Sequence, residues 1–264
     1  MKPTVAEPEA AVKTPAEFYD NLSASYDAMT NYDKRFVRER PFFAMLVEQH
    51  KIRTAIDAGC GTGFHSILLG QLGVSVTAAD VSTRMLKRAE ENALIAELKI
   101  DLVESSIQDL PDRVHRTYDA VVCLGNTLPH IPTQTDLARS LKSFFALLNP
   151  GGVLLLQQLN FDRILAKKER LQSLTESGGR TYIRFYEFQR SAVVFKILTI
   201  DAGSEGSGRT MESVLLHPLR RDELVHALGR AGFHRIRTHG SIAFDDFNPA
   251  SSKDLVVLAQ KPEL

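Results

Sequence analysis

Three glycines alternate with other residues in one short segment, DAGCGTG at positions 57–63. Gly59, Gly61 and Gly63 lack a Cβ, so the chain can turn tightly and its backbone N–H groups can approach a ligand closely. The spacing is G-x-G-x-G, because Phe64 occupies the place of the third glycine in the dinucleotide-binding pattern G-x-G-x-x-G. Asp80 follows about 20 residues downstream, where a carboxylate can accept hydrogen bonds from both hydroxyls of a ribose. The alternative is a glycine-rich turn with a solvated acidic strand end.

The hydrophobic pattern around this loop predicts the elements that position it. Two amphipathic helices come first, one with Phe18, Leu22 and Tyr26 on one face and one over residues 36–50. Apolar runs then predict strands that alternate with helices, one of which is capped by Thr133. The strands are expected at 54–58, 74–79, 100–103, 118–124 and 153–157, and the helices between them include 64–72 and 83–96. This alternation indicates a parallel sheet with helices on both faces. The loop, the strand and Asp80 then occur in the order that favours a ligand site.

The alternation stops after residue 157. Three strands are predicted without intervening helices, at 182–188, 192–200 and 209–217, and a glycine-rich turn at 201–208 joins the last two. A helix at 220–231 and strands at 234–239 and 255–260 follow. We therefore expect a mobile leader over residues 1–15 and a single domain over 16–264. Its core would span 52–160 and 218–262, with a β meander inserted at 180–217.

Composition and charge restrict the classes of partner. Lys and Arg number 32, Asp and Glu also number 32, and this balance disfavours binding to nucleic acid. The apolar runs are too short to cross a bilayer, and the first residues contain no apolar stretch typical of a secretory signal. The two cysteines form neither a metal-ligand set nor a disulfide framework. A cytoplasmic protein with no metal, no nucleic-acid partner and no membrane partner is expected, and an oligomer stays open.

These residues resemble the class I S-adenosylmethionine-dependent methyltransferases, whose hallmark is a D-x-G-x-G-x-G loop. The segment at 57–63 matches this loop, and Asp80 matches the acidic residue after the second strand. Two further segments match in order, VESSIQDL at 103–110 and YDAVVCLGN at 118–126. The resemblance implies an α/β, Rossmann-like seven-stranded sheet in the order 3-2-1-4-5-7-6, with the last strand antiparallel. The N-terminal helices and the inserted meander would form a lid.

The resemblance also implies a cofactor, S-adenosyl-L-methionine, which is converted to S-adenosyl-L-homocysteine. The glycine loop would hold its methionine part, Asp80 its ribose, Val81 and Met85 its adenine, and Leu124 its sulfonium end. Many members have an Asp after the third strand that contacts the adenine amino group, whereas Ser106 stands there in this chain. The full expected set is Tyr26, Arg40, Asp57, Gly59, Cys60, Gly61, Thr62, Gly63, Asp80, Val81, Met85, Ser106, Ile107 and Leu124.

The segments CLGNTLPHI at 123–131 and QLNFDRIL at 158–165 resemble those of glycine and sarcosine N-methyltransferases. Gln158 and Leu159 replace their usual His-Arg pair, and the resemblance does not place an arginine for an acceptor carboxylate. Arg184, Arg190 and Arg209 on the meander are the alternatives. The residues expected to face the acceptor are Asn126, His130, Asn160 and Arg184.

Several of these residues have two interpretations. His130 is the candidate catalytic base, or a loop histidine that caps the next helix. Asn160 either binds the substrate or turns the chain after the fifth strand. Tyr26 and Arg40 resemble lid positions that touch the cofactor carboxylate, or they serve helix packing and solvation. Cys60 lies near the cofactor or is an inert buried thiol.

The resemblance implies an enzyme that methylates a small molecule at an amine nitrogen, glycine and sarcosine being typical acceptors. The sulfonium carries an activated methyl group, so the protein has to position the nucleophile and exclude water. An O- or C-methyltransferase of a natural product or quinone-type molecule is the alternative. A nucleic-acid methyltransferase or a non-catalytic cofactor-binding module is less favoured, because the N/D-P-P-Y/F/W signature is absent after the fourth strand.

Overall fold

The computed structural model describes residues 11–190, 192–201 and 208–263. In chain order the elements are α1 (Pro15–Leu22), α2 (Tyr26–Thr30), α3 (Tyr32–Gln49), β1 (Thr54–Ala58), α4 (Phe64–Gln71), β2 (Ser75–Asp80), α5 (Thr83–Ile95), β3 (Asp101–Glu104), α6 (Leu110–Arg113), β4 (Tyr118–Cys123), α7 (Gln134–Leu147), β5 (Leu148–Leu159), α8 (Phe161–Lys167), β6 (Leu171–Ser177), β7 (Arg180–Phe188), β8 (Val193–Asp201), β9 (Arg209–Leu216), α9 (Arg221–Arg230), β10 (His234–His239) and β11 (Asp254–Gln260). Within these ranges, no helix combines the length and the apolar character that crossing a bilayer would require.

The central sheet has seven strands in the order β3-β2-β1-β4-β5-β11-β10. Its first five members pair in parallel, whereas β11 runs antiparallel to both β5 and β10. The order and the antiparallel last strand confirm the prediction. Since β1, β2, β4 and β5 are parallel, their carboxyl ends share one edge of the sheet, which is where ligands bind in sheets of this kind.

Helices cover both faces of the central sheet. Phe43 of α3 and Leu68 of α4 belong to the buried cluster on one face, and Phe144 of α7 and Leu228 of α9 belong to the cluster on the other. The cap predicted for α7 is present, because Thr133 Oγ1 accepts the Asp136 N–H at 3.0 Å. The two apolar clusters hold the helices on the sheet and leave the carboxyl edge of the strands to the loops.

The inserted meander forms a separate sheet of four antiparallel strands, β6-β7-β8-β9. The sequence predicted three strands and missed β6, whose alternating residues bury no face, since Leu171 and Leu174 are both exposed. Helix α1 packs on this sheet through Phe18, which shares a buried cluster with Tyr182 and Ile197. The second sheet is therefore joined to the N-terminal helices. Most of the predicted turn at 201–208 lies outside the described residues.

Of the leader predicted over residues 1–15, the first ten residues lie outside the described ranges. Its last part runs beside β9, because Lys13 bridges Val214 in parallel and the Lys13 N–H donates to the Ser213 carbonyl at 2.9 Å. Lys13 also forms an ion pair with Glu212. Backbone pairing of Lys13 with β9 and the cap that Thr14 forms on α1 therefore hold the end of this segment, although it lacks an apolar period.

Candidate functional site

The glycine loop follows β1 at the carboxyl edge of the sheet. Gly59, Gly61 and Gly63 have φ values of +77°, +54° and +83°, in the left-handed region that residues with a Cβ rarely adopt. The N–H groups of Gly59 and Cys60 donate to the Ala79 carbonyl at 2.7 and 3.0 Å. The loop is thereby tied to the end of β2, and the Gly63 N–H closes the turn by donating to the Cys60 carbonyl at 3.0 Å.

Asp80 ends β2 next to this loop. Its carboxylate accepts the Gly61 N–H at 2.9 Å through Oδ2 and the Ser82 N–H at 2.9 Å through Oδ1. Burial raises the pKa of Asp80, while the two backbone hydrogen bonds act in the opposite direction. The carboxylate therefore stands at the floor of the cavity in a fixed orientation, as the loop and strand pattern predicted.

The cavity above the loop has a volume of about 460 Å³. Most of the residues predicted to bind the cofactor line it, namely Tyr26, Gly59, Cys60, Gly61, Thr62, Asp80, Val81, Ser106, Ile107 and Leu124. Helix α2 closes one side, because Thr62 Oγ1 donates to Asp27 Oδ1 at 2.5 Å and Asn92 donates to Asp27 Oδ2 at 3.0 Å. The N-terminal helices are thus held directly on the glycine loop.

Four of the predicted residues do not line the cavity. The carboxylate of Asp57 is buried beneath the loop and accepts the Ser66 hydroxyl at 2.7 Å. Gly63 allows α4 to approach α5, since an added Cβ would lie 3.0 Å from that of Ala89. Met85 is fully buried in α5. Arg40 is exposed and does not line the cavity, although it was expected at the cofactor.

Arg35 lies where Arg40 was expected. Five helical residues correspond to a rotation of about 140° around the axis, so the two arginines point in different directions. The guanidinium of Arg35 lies 4.0 Å from the ring centroid of Phe64, and its Nε donates to Glu39 Oε1 at 3.1 Å. His65 Nε2 lies 3.2 Å from Glu39 Oε2. Burial alone would raise the pKa of Glu39, but the hydrogen bond from His65 and the charge of Arg35 lower it to about 2.

A second cavity of about 770 Å³ adjoins the first. Both are lined by Tyr26, Arg35, Leu124 and Gly125, which therefore form the boundary between them. The other walls come from α3, the ends of β5 and β11, strands β6 and β7, and the loop after β10. This arrangement provides two neighbouring binding volumes at the carboxyl edge of the sheet.

Asn126 and Arg184, two of the residues expected to face the acceptor, both line the second cavity. Asn126 has φ of +71°, and its Oδ1 accepts the Leu159 N–H at 3.0 Å, which fixes the loop after β4. Arg184 reaches the cavity from β7, and its Nε donates to Ser173 Oγ at 2.6 Å. Burial lowers the pKa of Arg184. Arg190 and Arg209 are exposed and line none of the cavities described here.

His130 lines the first cavity, on the turn before α7. Its Nε2 lies 2.9 Å from the Tyr19 hydroxyl, and its Nδ1 has no hydrogen-bond partner within the described ranges. Burial lowers the pKa of His130 to about 4, so the imidazole is uncharged at neutral pH. Thr133 caps α7, which makes the capping interpretation of His130 wrong.

Asn160 does not face either cavity, contrary to the prediction. Its side chain is fully buried and caps α8, because Oδ1 accepts the Arg163 N–H at 3.2 Å. Its Nδ2 donates to the carbonyls of Ser252 at 3.0 Å and Pro249 at 3.2 Å. The Asn160 amide is therefore engaged inside the protein, by α8 through Oδ1 and by the loop before β11 through Nδ2.

A sequence family matches the part of the chain that contains the glycine loop and Asp80. The profile described as a methyltransferase domain matches residues 55–152. A glycine/sarcosine N-methyltransferase of Halorhodospira halochloris is 30% identical over 236 residues, which are 85% of this chain and 81% of that protein. The chain belongs to the class I S-adenosylmethionine-dependent methyltransferases.

Other relatives and solved structures agree with this assignment. A glycine/sarcosine N-methyltransferase of Aphanothece halophytica is 29% identical over 229 residues, covering 85% of this chain and 82% of that protein. The crystal structure of an S-adenosylmethionine-dependent methyltransferase from Clostridium acetobutylicum matches with a TM-score of 0.78 at 17% identity. That match covers 92% of this chain and 99% of the other, and it confirms the methyltransferase fold.

S-adenosylmethionine is the cofactor of this methyltransferase, and it supplies an activated methyl group on a sulfonium. The residues around the first cavity fit such a molecule. A Cβ added at Gly61 would have only Tyr26 Cε1 within 4 Å, at 3.9 Å, so the loop backbone itself forms the wall and leaves room for the ligand. Asp80 offers a carboxylate for ribose hydroxyls, and Arg35 offers a cation at the opposite boundary.

Replacement of Asn160 by alanine is expected to lower the stability of the methyltransferase more than its catalytic constants. The change leaves buried carbonyls of the 248–252 loop unpaired and removes the cap of α8, at a cost of about 2–3 kcal/mol. Chemical denaturation measures the free energy of unfolding. Asn248→Ala, which changes an exposed side chain of the same loop, is the control. A stable Asn160→Ala variant with a raised acceptor KM would restore the substrate-binding interpretation.

Proposed function

We propose that this methyltransferase transfers a methyl group to the amine nitrogen of a small molecule that also carries a carboxylate. The observation that supports this most directly is the Arg184 guanidinium, which lines the second cavity together with Asn126. The cavity is contiguous with the one above the glycine loop, so an acceptor bound there would adjoin the cofactor. Glycine and sarcosine, the acceptors in the names of the relatives, are the first candidates.

Arg184 would supply the cation that is missing from the end of β5. In glycine and sarcosine N-methyltransferases an arginine is usual at the position of Leu159. Leu159 and Arg184 line the same cavity, so a guanidinium from β7 can reach the space that a β5 arginine would occupy. A bidentate pair between a guanidinium and a carboxylate fixes the orientation of the acceptor as well as its affinity.

The proposed cofactor contacts follow from the walls of the first cavity. Asp80 would accept hydrogen bonds from the ribose hydroxyls, and Val81, Ser106 and Ile107 would surround the adenine. Arg35, held by Glu39, would pair with the methionine carboxylate. Residues 16–264 would form a single domain in which the sheet β6–β9 and the N-terminal helices cover both ligands. Covering the site excludes water and brings the acceptor nitrogen into line with the methyl group.

His130 would act chiefly on Tyr19 in this proposal. With its pKa lowered to about 4, the imidazole is a weak acceptor for a proton from an ammonium group. Its hydrogen bond with the Tyr19 hydroxyl instead fixes a ring that lines the first cavity. A carboxylate at this edge of the sheet is therefore the better candidate for a base.

A screen of methyl acceptors tests the proposed function. Amines, amino acids and phenols are incubated with the protein and S-adenosylmethionine, and formation of S-adenosylhomocysteine is measured. Amino acids are expected to be methylated faster than carboxylate-free amines of similar size. Methylation of phenols without any methylation of amines would overturn the proposal and favour the O-methyltransferase alternative.

Arg184→Gln is expected to raise the KM for the carboxylate-bearing acceptor about 10- to 100-fold, the equivalent of roughly 1.5–3 kcal/mol for a hydrogen bond to a charged group. Cofactor affinity should not change. Arg209→Gln, at an exposed position on β9, is the matched control. The KM for ethylamine, which has no carboxylate, should be equal in the wild type and in Arg184→Gln. An equal loss for both acceptors would contradict a carboxylate contact.

A further inference from the structure

Asp254 lies at the second cavity because of the direction of β11. It is the first residue of that strand and pairs in register with Leu159, the last residue of β5. Since β11 is antiparallel to β5, the first residue of β11 lies at the edge where the parallel strands end. The side chain of Asp254 lines the second cavity, as does that of Arg184. Groups of opposite charge therefore border one binding volume.

A short chain of hydrogen bonds orients the Asp254 carboxylate. Gln157 Nε2 donates to Asp254 Oδ1 at 2.9 Å, and Gln157 Oε1 accepts the Gly125 N–H at 2.7 Å. Gly125 belongs to the boundary between the two cavities. The carboxylate is thereby connected to the segment that separates the acceptor from the cofactor. Its other oxygen, Oδ2, has no hydrogen-bond partner in the part of the chain that the structure describes.

The charged groups near Asp254 do not neutralise it directly. Glu39 faces it and is itself engaged by Arg35, Arg38 and His65. The charges of Arg163 and Arg38 also act on Asp254, and Arg163 pairs with Glu169. Among the described residues Asp254 takes part in no salt bridge, and burial raises its pKa. A half-buried carboxylate without a cationic partner is costly, and a cationic ligand would offset that cost.

We propose that Asp254 binds the ammonium group of the acceptor and removes one of its protons. The inference rests on the proposed amine methylation and names the residue that prepares the nucleophile. One N–H proton passes from the ammonium nitrogen to Oδ2, and the N–H bonding pair becomes the lone pair with which the nitrogen attacks. The carboxylic acid then returns the proton to water through the open side of the cavity. Arg184 holds the anionic group of the same acceptor.

The test compares Asp254→Asn with the wild type over a range of pH, using the acceptor found in the screen. At neutral pH, kcat/KM for the acceptor is expected to fall about 100-fold, the lower end of the usual effect of a general base. The deficit should shrink as the pH rises, because the amine then loses its proton in solution. Calorimetric titration of the S-adenosylhomocysteine complex should show weaker binding of the acceptor, whereas cofactor affinity stays unchanged.

Two variants serve as controls. Asp246→Asn removes an exposed carboxylate of the neighbouring loop that does not line the cavity, and it should leave kcat/KM unchanged. Asp254→Glu retains the carboxylate and should retain the pH profile of the wild type. If Asp254→Asn loses cofactor affinity through misfolding, Asp254→Ser replaces it in the same comparison, since a hydroxyl can still accept from Gln157.

The outcomes separate this inference from the proposed function. If amines are methylated and Asp254→Asn keeps the kcat/KM of the wild type, the inference is wrong and the function stands. A loss of equal size at every pH would also overturn it, because that pattern indicates a structural role. If the wild type methylates only phenols, the function itself fails.

Discussion

Asp80→Ala is expected to lower the affinity for S-adenosylmethionine about 100-fold or more. Two ribose hydroxyls would lose a charged acceptor, at roughly 1.5–3 kcal/mol for each hydrogen bond. The Gly61 N–H would lose its partner as well, so the glycine loop would be less well held. Isothermal titration with S-adenosylmethionine and with S-adenosylhomocysteine measures the affinity, and both ligands should be affected equally since they share the ribose.

Glu104→Ala is the matched control for this prediction. Glu104 ends β3 and is the register partner of Asp80, but it is exposed and does not line the first cavity. Its carboxylate accepts the Thr83 hydroxyl at 2.9 Å, so the substitution removes a comparable local contact. Normal affinity in a folded Asp80→Ala protein would place the ribose elsewhere.

The cofactor side of the site was predictable because its chemistry depends on the backbone. A loop that turns through left-handed conformations favours glycine, and the sequence shows this preference directly at Gly59, Gly61 and Gly63. The position of Asp80 follows from the strand that carries it, since the carboxyl ends of parallel strands meet at one edge. The predicted order of neighbouring strands is therefore enough to place the loop next to the carboxylate, and side-chain packing is not needed for this.

The rest of the site was harder to predict because it depends on the phase of helices and on long-range contacts. Arg35 and Arg40 are on one helix, and only its packing against α4 shows that Arg35 faces the cavities. Asn160 has the type and position of a substrate ligand, yet its amide is used by carbonyls about 90 residues away in sequence. Asp254 gave no local signal, because an acidic residue before an apolar strand is usually solvated.

Gly59→Ala is expected to lower cofactor affinity about 30-fold or more, because the new methyl group has no space. An ideal Cβ at Gly59 would lie 2.4 Å from Thr127 Cγ2 and 2.8 Å from Thr127 Oγ1. The φ of +77° adds a left-handed strain of about 1–2 kcal/mol, and overpacking adds about 1–3 kcal/mol. Thr127 Oγ1 donates to the Leu124 carbonyl at 2.8 Å, so displacing Thr127 also shifts the segment that separates the two cavities.

A double-mutant cycle with Thr127→Ala separates the collision from the backbone strain. Thr127→Ala removes the two closest atoms and leaves a Cβ at 3.1 Å from the added methyl group, so it should restore part of the affinity lost in Gly59→Ala. The remaining loss should correspond to the left-handed strain, about 1–2 kcal/mol, or roughly a tenfold change in affinity. Titration calorimetry with S-adenosylhomocysteine measures all four proteins, and thermal unfolding reports their stability. Purely additive effects of the two substitutions would show that the methyl group added at position 59 does not meet the Thr127 side chain, and the loop would then have to tolerate a Cβ by moving away from β4.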